Sequence, residues 1–257
     1  MLKTYEIGDI SGRPVVLAHG LFGQARNLGG LARRLAQDGR RVVSVDMRNH
    51  GNSPWSDDHS YHAMAADLAE VIRSLGGRAD LVGHSMGGKA AMVLALTQSD
   101  LLRRLVVLDI APVAYTHSQT YLIDAMEAID LNGVRLRSQA DELLAQHVRE
   151  AGVRAFLLQS LDVQSDPPRW KMNLQALRQH MDQLIGWPGD LDGKQFYNPT
   201  VVIAGAESDY VTDDGRGALR KHFPLGRIIR IPKAGHWLHA DAPDETAGAV
   251  CGYLAGE

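Results

Sequence analysis

Apolar residues along this chain fall into two alternating patterns. Short runs rich in Val, Ile and Leu recur at 14–18, 41–46, 105–109, 200–204 and 227–231, and a further one, Leu81-Val82, leads into a turn at 83–87. Runs of this length and composition read as strands buried on both faces of a sheet. Between them the spacing changes to that of helices, at 27–37, 61–75, 90–96, 214–222 and 244–254. In the second of these, Tyr61, Met64, Ala65, Leu68, Ile72 and Leu75 repeat at intervals of three and four, so one face is buried. Ser60 stands where an N-cap is needed, and Gly76-Gly77 ends the element. Residues 90–96 are apolar all round, which predicts a helix enclosed by the fold. Strand and helix in alternation imply an α/β architecture: a mostly parallel, twisted sheet with helices on both faces.

The alternation stops at 113. From there to 195 the spacing predicts helices only, near 118–131, 138–150, 153–161 and 169–185, separated by turn material such as Asp166-Pro167-Pro168 and Trp187-Pro188-Gly189. The chain therefore divides into a core of residues 1–112 and 196–257 and a helical insertion of residues 113–195. With 257 residues, 45% of them hydrophobic, it can bury a large core. A net charge of -3 offers no basic footprint for a phosphate backbone, which argues against a nucleic-acid partner. The lone Cys251 cannot form an internal disulfide. Residues 1–6 lack the apolar run of a signal peptide, and no apolar run reaches the roughly 18 residues of a membrane span. The expectation is a soluble, cytoplasmic protein, monomer or homodimer.

In an open sheet of this kind, ligands collect beyond the carboxyl ends of the strands. The residues that follow the strands here are His19-Gly20-Leu21-Phe22, Asp46, Ser85, Asp109, the 205–209 loop and Gly235-His236-Trp237. Ser85 lies in Gly83-His84-Ser85-Met86-Gly87, between a strand run and a helix run. A serine at the apex of a sharp strand-to-helix turn tolerates only tiny neighbours two residues away, and Gly83 and Gly87 meet that demand. A serine hydroxyl is a weak nucleophile, so it needs a histidine to take its proton and a carboxylate to orient that histidine. Ser85, then an acid, then His236 is the chain order expected of such a site.

These segments carry a resemblance. His19-Gly20-Leu21-Phe22-Gly23, Asp46-Met47-Arg48-Asn49-His50-Gly51-Asn52-Ser53, Gly83-His84-Ser85-Met86-Gly87-Gly88-Lys89, Leu108-Asp109-Ile110-Ala111-Pro112-Val113 and Ala234-Gly235-His236-Trp237 together resemble the α/β-hydrolase superfamily, most closely its YbfF-type esterases and ABHD11-like hydrolases. The resemblance implies the α/β-hydrolase fold with a helical cap after the sixth strand. It also implies a cofactor-free, metal-free serine hydrolase that cleaves small-molecule carboxylic esters or thioesters, with acyl-CoA left open, through an acyl-Ser85 intermediate and with His236 as base and acid. Most members place the acid three residues after the glycine that follows the seventh strand; counted from Gly205, that position is Ser208, with Asp209 one residue late. The YbfF-like group places it after the sixth strand, and Asp109 matches, so Asp109 ranks ahead of Asp209. The oxyanion hole is expected at the N–H of Met86 and at one N–H after His19-Gly20, that of Leu21.

Other readings of the same residues stay open. The fold also supports carbon–carbon bond hydrolysis, lactone opening, perhydrolysis or acyl transfer, and a non-catalytic ligand receptor could retain its serine. His239 lies three residues from His236, but without a third ligand in view it reads as structural or solvent-facing and not as a metal site. His19 and His84 are expected to brace the site, and Asp46, Arg48 and the turn at 51–53 to act as loop scaffolding. Lys89, at the start of a helix, is placed where it could touch substrate, but an ordinary surface contact is the expectation. Met126, Phe156, Leu157, Leu161, Trp170, Met172, Met181 and Trp187 are expected to form the cap's own core, with some of them facing the cleft.

Overall fold

In the computed structural model, which describes residues 1–256, the six predicted strands and one more assemble into a seven-stranded sheet. In chain order the elements are β1 (Lys3–Gly8), β2 (Pro14–Ala18), α1 (Gly29–Gln37), β3 (Arg41–Asp46), α2 (Tyr61–Ser74), β4 (Ala79–His84), α3 (Met86–Thr97) and β5 (Leu102–Leu108). An excursion follows with α4 (Thr120–Ala128), α5 (Arg137–Leu144), α6 (Ala151–Leu158), β6 (Leu161–Asp162), β7 (Arg169–Trp170), α7 (Leu174–Gln179) and α8 (Met181–Ile185). The chain then returns through β8 (Thr200–Gly205), α9 (Asp213–His222), β9 (Arg227–Ile231), α10 (Leu238–Asp241) and α11 (Pro243–Ala255). The spatial order is β1-β3-β2-β4-β5-β8-β9, parallel throughout except for β1, which runs antiparallel to β3.

The strands alternate in the sense their pleat demands. Val16, Ala18, Leu81, Leu105, Val107 and Val202 point into the layer formed with α2 and α3. Val15, Leu17, Val82, Val106, Leu108 and Val201 point into the opposite layer, against α1 and α11. Because helices cover both faces, central strands need no polar side, which is why they read as continuous apolar runs. Ser60 accepts a hydrogen bond from the Ala63 N–H, as an N-cap should. Residues 86–96 of α3 are all buried, as their uniform apolarity predicts. Among the described residues no helix is long and apolar enough to cross a membrane.

Two departures from the sequence pattern have physical causes. β1 is absent from the pattern because it is an edge strand: it pairs through its backbone to β3, leaves most of its side chains exposed and needs no apolar run. The excursion is not wholly helical. β6 and β7 form a two-residue antiparallel ladder, and the single helix expected over 169–185 is instead β7 followed by two short helices broken at His180. The excursion leaves the sheet after β5, sixth in the numbering of the resembled fold and fifth in this chain. It packs its own apolar cluster, including Leu122, Met126, Leu157, Leu161, Trp170 and Met172, over the carboxyl ends of the strands.

Candidate active site

Between β4 and α3 the backbone makes one abrupt turn, and Ser85 is its only residue. Its φ of 50° and ψ of -117° lie outside the regions open to most side chains, a conformation that costs roughly 1–3 kcal/mol and persists only when the surroundings enforce it. Here they do. The Ser85 N–H donates to the Leu108 carbonyl at 3.0 Å, and the Ser85 carbonyl accepts from the Lys89 N–H at 3.0 Å. A Cβ at position 83 would come within 2.4 Å of the Gly87 carbonyl oxygen, and one at position 87 within 2.5 Å of the Ala18 carbonyl oxygen. The two glycines are therefore required by close backbone approach on either side of the serine.

His236, in the loop after β9, reaches Ser85 from across three strands. The Ser85 hydroxyl lies 3.0 Å from His236 Nε2, and His236 Nδ1 donates to Asp109 Oδ2 at 2.8 Å. Asp109 sits just past β5, fully buried, with a φ of 50° that swings its carboxylate toward the next loops. Its Oδ1 accepts from the Gly205 N–H at 2.9 Å, and its Oδ2 also accepts from the Ser208 hydroxyl. The position where most of the resembled superfamily carries the acid is thus occupied by a serine that hydrogen-bonds the acid of the neighbouring strand. Asp209 is exposed and makes no hydrogen bond to His236. Tyr210 lies flat against the imidazole, with ring centroids 3.9 Å apart and planes 20° from parallel. His84 braces the same loop by donating from Nε2 to the His236 carbonyl at 2.9 Å.

The loop after β2 approaches Ser85 closely: a Cβ on Gly20 would stand 3.1 Å from that of Ser85. Of the amides that follow, Phe22 N–H is already engaged, donating to His50 Nε2 at 3.1 Å, whereas the Leu21 and Met86 N–H groups have no acceptor among the described residues. His50 in turn donates from Nδ1 to the Arg48 carbonyl at 2.9 Å. His19 shows the same pattern, accepting from the Met47 N–H at 2.9 Å and donating to the Gly20 carbonyl at 2.8 Å. One nitrogen accepting and the other donating requires the neutral ring in both cases, and burial pushes the pKa of His19, His50 and His84 down in agreement. Asp46 is saturated as a loop scaffold by the Ala25 and Asn52 amides and the Tyr5 hydroxyl, while Arg48 forks onto Asp67.

A cavity of about 250 Å³ opens beside these groups, walled from the core by Leu21, Ser85 and His236 and from the excursion by Leu122, Phe156 and Met181. Of the apolar residues expected in the cap's own core, Phe156 and Met181 face the cavity, Met126, Leu157, Leu161, Trp170 and Met172 are packed away from it, and Trp187 joins the main core. Lys89 corrects an expectation outright. It makes no surface contact: it is 1% exposed, lines the cavity, and donates from Nζ to the Ile185 and Gly186 carbonyls at 3.1 and 2.5 Å. Its place in the first turn of α3 hinted at substrate contact but not at burial, because the excursion that covers it lies about a hundred residues further on in the chain. Tyr210 and His50 were likewise not legible as site residues, nor was the role of Ser208 as a donor to Asp109, since each acts through a partner remote in sequence.

Residues 15–249 match the model of the alpha/beta hydrolase family. The sn-1-specific diacylglycerol lipase ABHD11 of Mus musculus is 41% identical over 256 residues, spanning 96% of this chain and 83% of its own. Esterase YbfF of Escherichia coli strain K12 is 39% identical over 243 residues, spanning 94% of this chain and 92% of its own. Among solved structures, a marine microorganism esterase superposes with a TM-score of 0.93 at 33% identity, over 98% of this chain and 99% of that one.

Proposed function

The chain belongs to the alpha/beta hydrolase family and is a carboxylic ester hydrolase, and from that premise we propose that it works through an acyl-Ser85 intermediate. The observation that carries the proposal is the unbroken hydrogen-bonded line from the Ser85 hydroxyl through His236 to the buried Asp109. In the first half-reaction His236 Nε2 takes the Ser85 proton as Oγ attacks the ester carbonyl. The buried Asp109 holds Nδ1–H in place and stabilises the imidazolium that forms. The free N–H groups of Leu21 and Met86 are the donors available to the developing oxyanion, and Met86 adds the positive end of the α3 dipole. His236 then returns its proton to the departing alcohol, and water repeats the sequence against the acyl-enzyme.

Residues 113–195 act in this reading as a cap over the cleft, closing off the core of residues 1–112 and 196–257. Support comes from the shared walls of the cavity, which would keep water from the acyl group and strengthen the electrostatics within. Thioesters fit the same chemistry, because a thiolate leaves more readily than an alkoxide and asks less of His236. Intact mass after treatment with a fluorophosphonate tests the proposal. One adduct on the wild type and none on Ser85→Ala is the expected result; no adduct on folded wild type would sink it.

A further inference from the structure

The cavity beside Ser85 holds one formal charge and nothing to balance it. Lys89 lies in the first turn of α3, and its N–H donates to the carbonyl of Ser85, the residue just before the helix, at 3.0 Å. Its ammonium meets two peptide carbonyls, those of Ile185 and Gly186, and lies 4.7 Å from the centre of the Tyr115 ring and 5.7 Å from that of Tyr61. Carbonyls and ring faces carry only partial charge. The other titratable residues lining the cavity are Tyr61, Tyr115, Tyr121, Tyr210, His84, His117 and His236, and no Asp or Glu is among them. The two nearest phenols are not anions in waiting: burial pushes both pKa values up, and their hydroxyls donate to the Leu184 and Tyr210 carbonyls, each at 2.7 Å. Buried cations are ordinarily paired with an acid, and this one is not.

We infer that Lys89 is a specificity-determining residue that selects ester substrates bearing a second, ionised carboxylate, which enters the cavity as the missing counterion. The inference rests on the acyl-Ser85 reading, since it takes this cavity to be the substrate's. A lysine ammonium has three N–H donors; two are spent on carbonyls, and the third is free for an oxygen of the ligand. A charge-assisted bond of this kind is about twice as strong as a neutral one, and more so in a dry site. Burial lowers the Lys89 pKa to about 7, so the free enzyme loses the charge as pH rises through neutrality, and the preference should fade with it.

Two matched pairs of esters test this. One places the carboxylate on the acyl group, p-nitrophenyl hemiadipate against p-nitrophenyl hexanoate; the other places it on the leaving group, 4-carboxyphenyl hexanoate against phenyl hexanoate. The readout is the ratio of kcat/KM, carboxylate over neutral, in which pH effects common to both esters cancel. At pH 6 that ratio is expected to fall at least tenfold in Lys89→Met for one of the pairs, through KM more than kcat, and to recover in Lys89→Arg. In the wild type the same ratio is expected to decline between pH 6 and pH 9. A purely structural lysine would lower both members of a pair alike, so equal ratios in wild type and Lys89→Met for both pairs would overturn the inference. If Lys89→Met does not fold, a wild-type ratio that does not change with pH overturns it on its own. Wild type inactive on all four esters would remove the acyl-Ser85 reading, and the inference with it.

Discussion

Asp109 and Asp209 are a hundred residues apart in the chain, and both lie near the carboxyl ends of neighbouring strands, yet their surroundings differ completely. Asp109 is fully buried and receives hydrogen bonds from His236, Gly205 and Ser208, whereas Asp209 is exposed. Asp109→Asn keeps the shape but presents a group that no longer stabilises the imidazolium, and a substitution of this type lowers kcat by about 10⁴-fold in well-studied serine hydrolases. We expect a loss of at least about 10³-fold in kcat for Asp109→Asn and less than about threefold for Asp209→Asn, measured on p-nitrophenyl butyrate. The opposite ranking would reassign the acid. The strain at Ser85 and Asp109 belongs to this scale too: both have a φ of 50°, and both are pinned by backbone bonds to the next strand, Ser85 to Leu108 and Asp109 to Ile203. A staircase of adjacent parallel strands thus lends each site residue the support of its neighbour.

At the scale of elements, β4 and α3 are joined through a single residue, Ser85, and the backbone on either side of it is closely packed. Gly87→Ala would press a methyl group against the Ala18 and His19 carbonyl oxygens, 2.5 and 2.6 Å away, and neither belongs to a flexible side chain. We expect it to lower stability by about 2 kcal/mol or more in urea unfolding. Gly30→Ala is the matched control. Gly30 is in the first turn of α1 with nothing within 4 Å of a new Cβ, so the same substitution should leave stability unchanged or raise it by up to about 1 kcal/mol. A destabilisation of the two variants by equal amounts would show that the clash is not what makes Gly87 necessary.

Across the whole molecule, histidines are the groups whose burial couples folding to pH. Burial lowers the pKa of His59 to about 3 and that of His239 to about 4, from an ordinary value of 6.5, and pushes His19, His50 and His84 down as well. A depressed pKa means that the unfolded chain binds protons that the folded one refuses. The resulting stability is fully present above about pH 6.5 and is lost as pH falls from there toward 3 to 4. For His59 alone, which is wholly buried, the loss between pH 7.5 and pH 5 is on the order of 2 kcal/mol. Urea midpoints should therefore drop markedly over that interval, and His59→Gln should flatten the dependence. A midpoint that holds steady from pH 7.5 to pH 5 would contradict the buried, neutral state of these rings.

Sequence alone determined whatever depends on neighbours along the chain. The central strands, the buried α3, the Ser60 cap and the glycines flanking Ser85 were legible because pleat, helical period, capping and close backbone approach each act over a few residues. The excursion was legible as an interruption of alternation, but β1 and the β6–β7 ladder were not, because an edge or a two-residue pairing leaves no apolar run to read. Tertiary structure decided which side chains meet. It brought Asp109 and not Asp209 to His236, made Ser208 a donor to the acid, tied up the Phe22 amide on His50 while leaving that of Leu21 free, and folded residues 185–186 over Lys89. The physical reason is one of range. Hydrogen bonds and burial depend on distances of a few ångströms in space, and at this site those distances join residues as much as 152 positions apart in the chain.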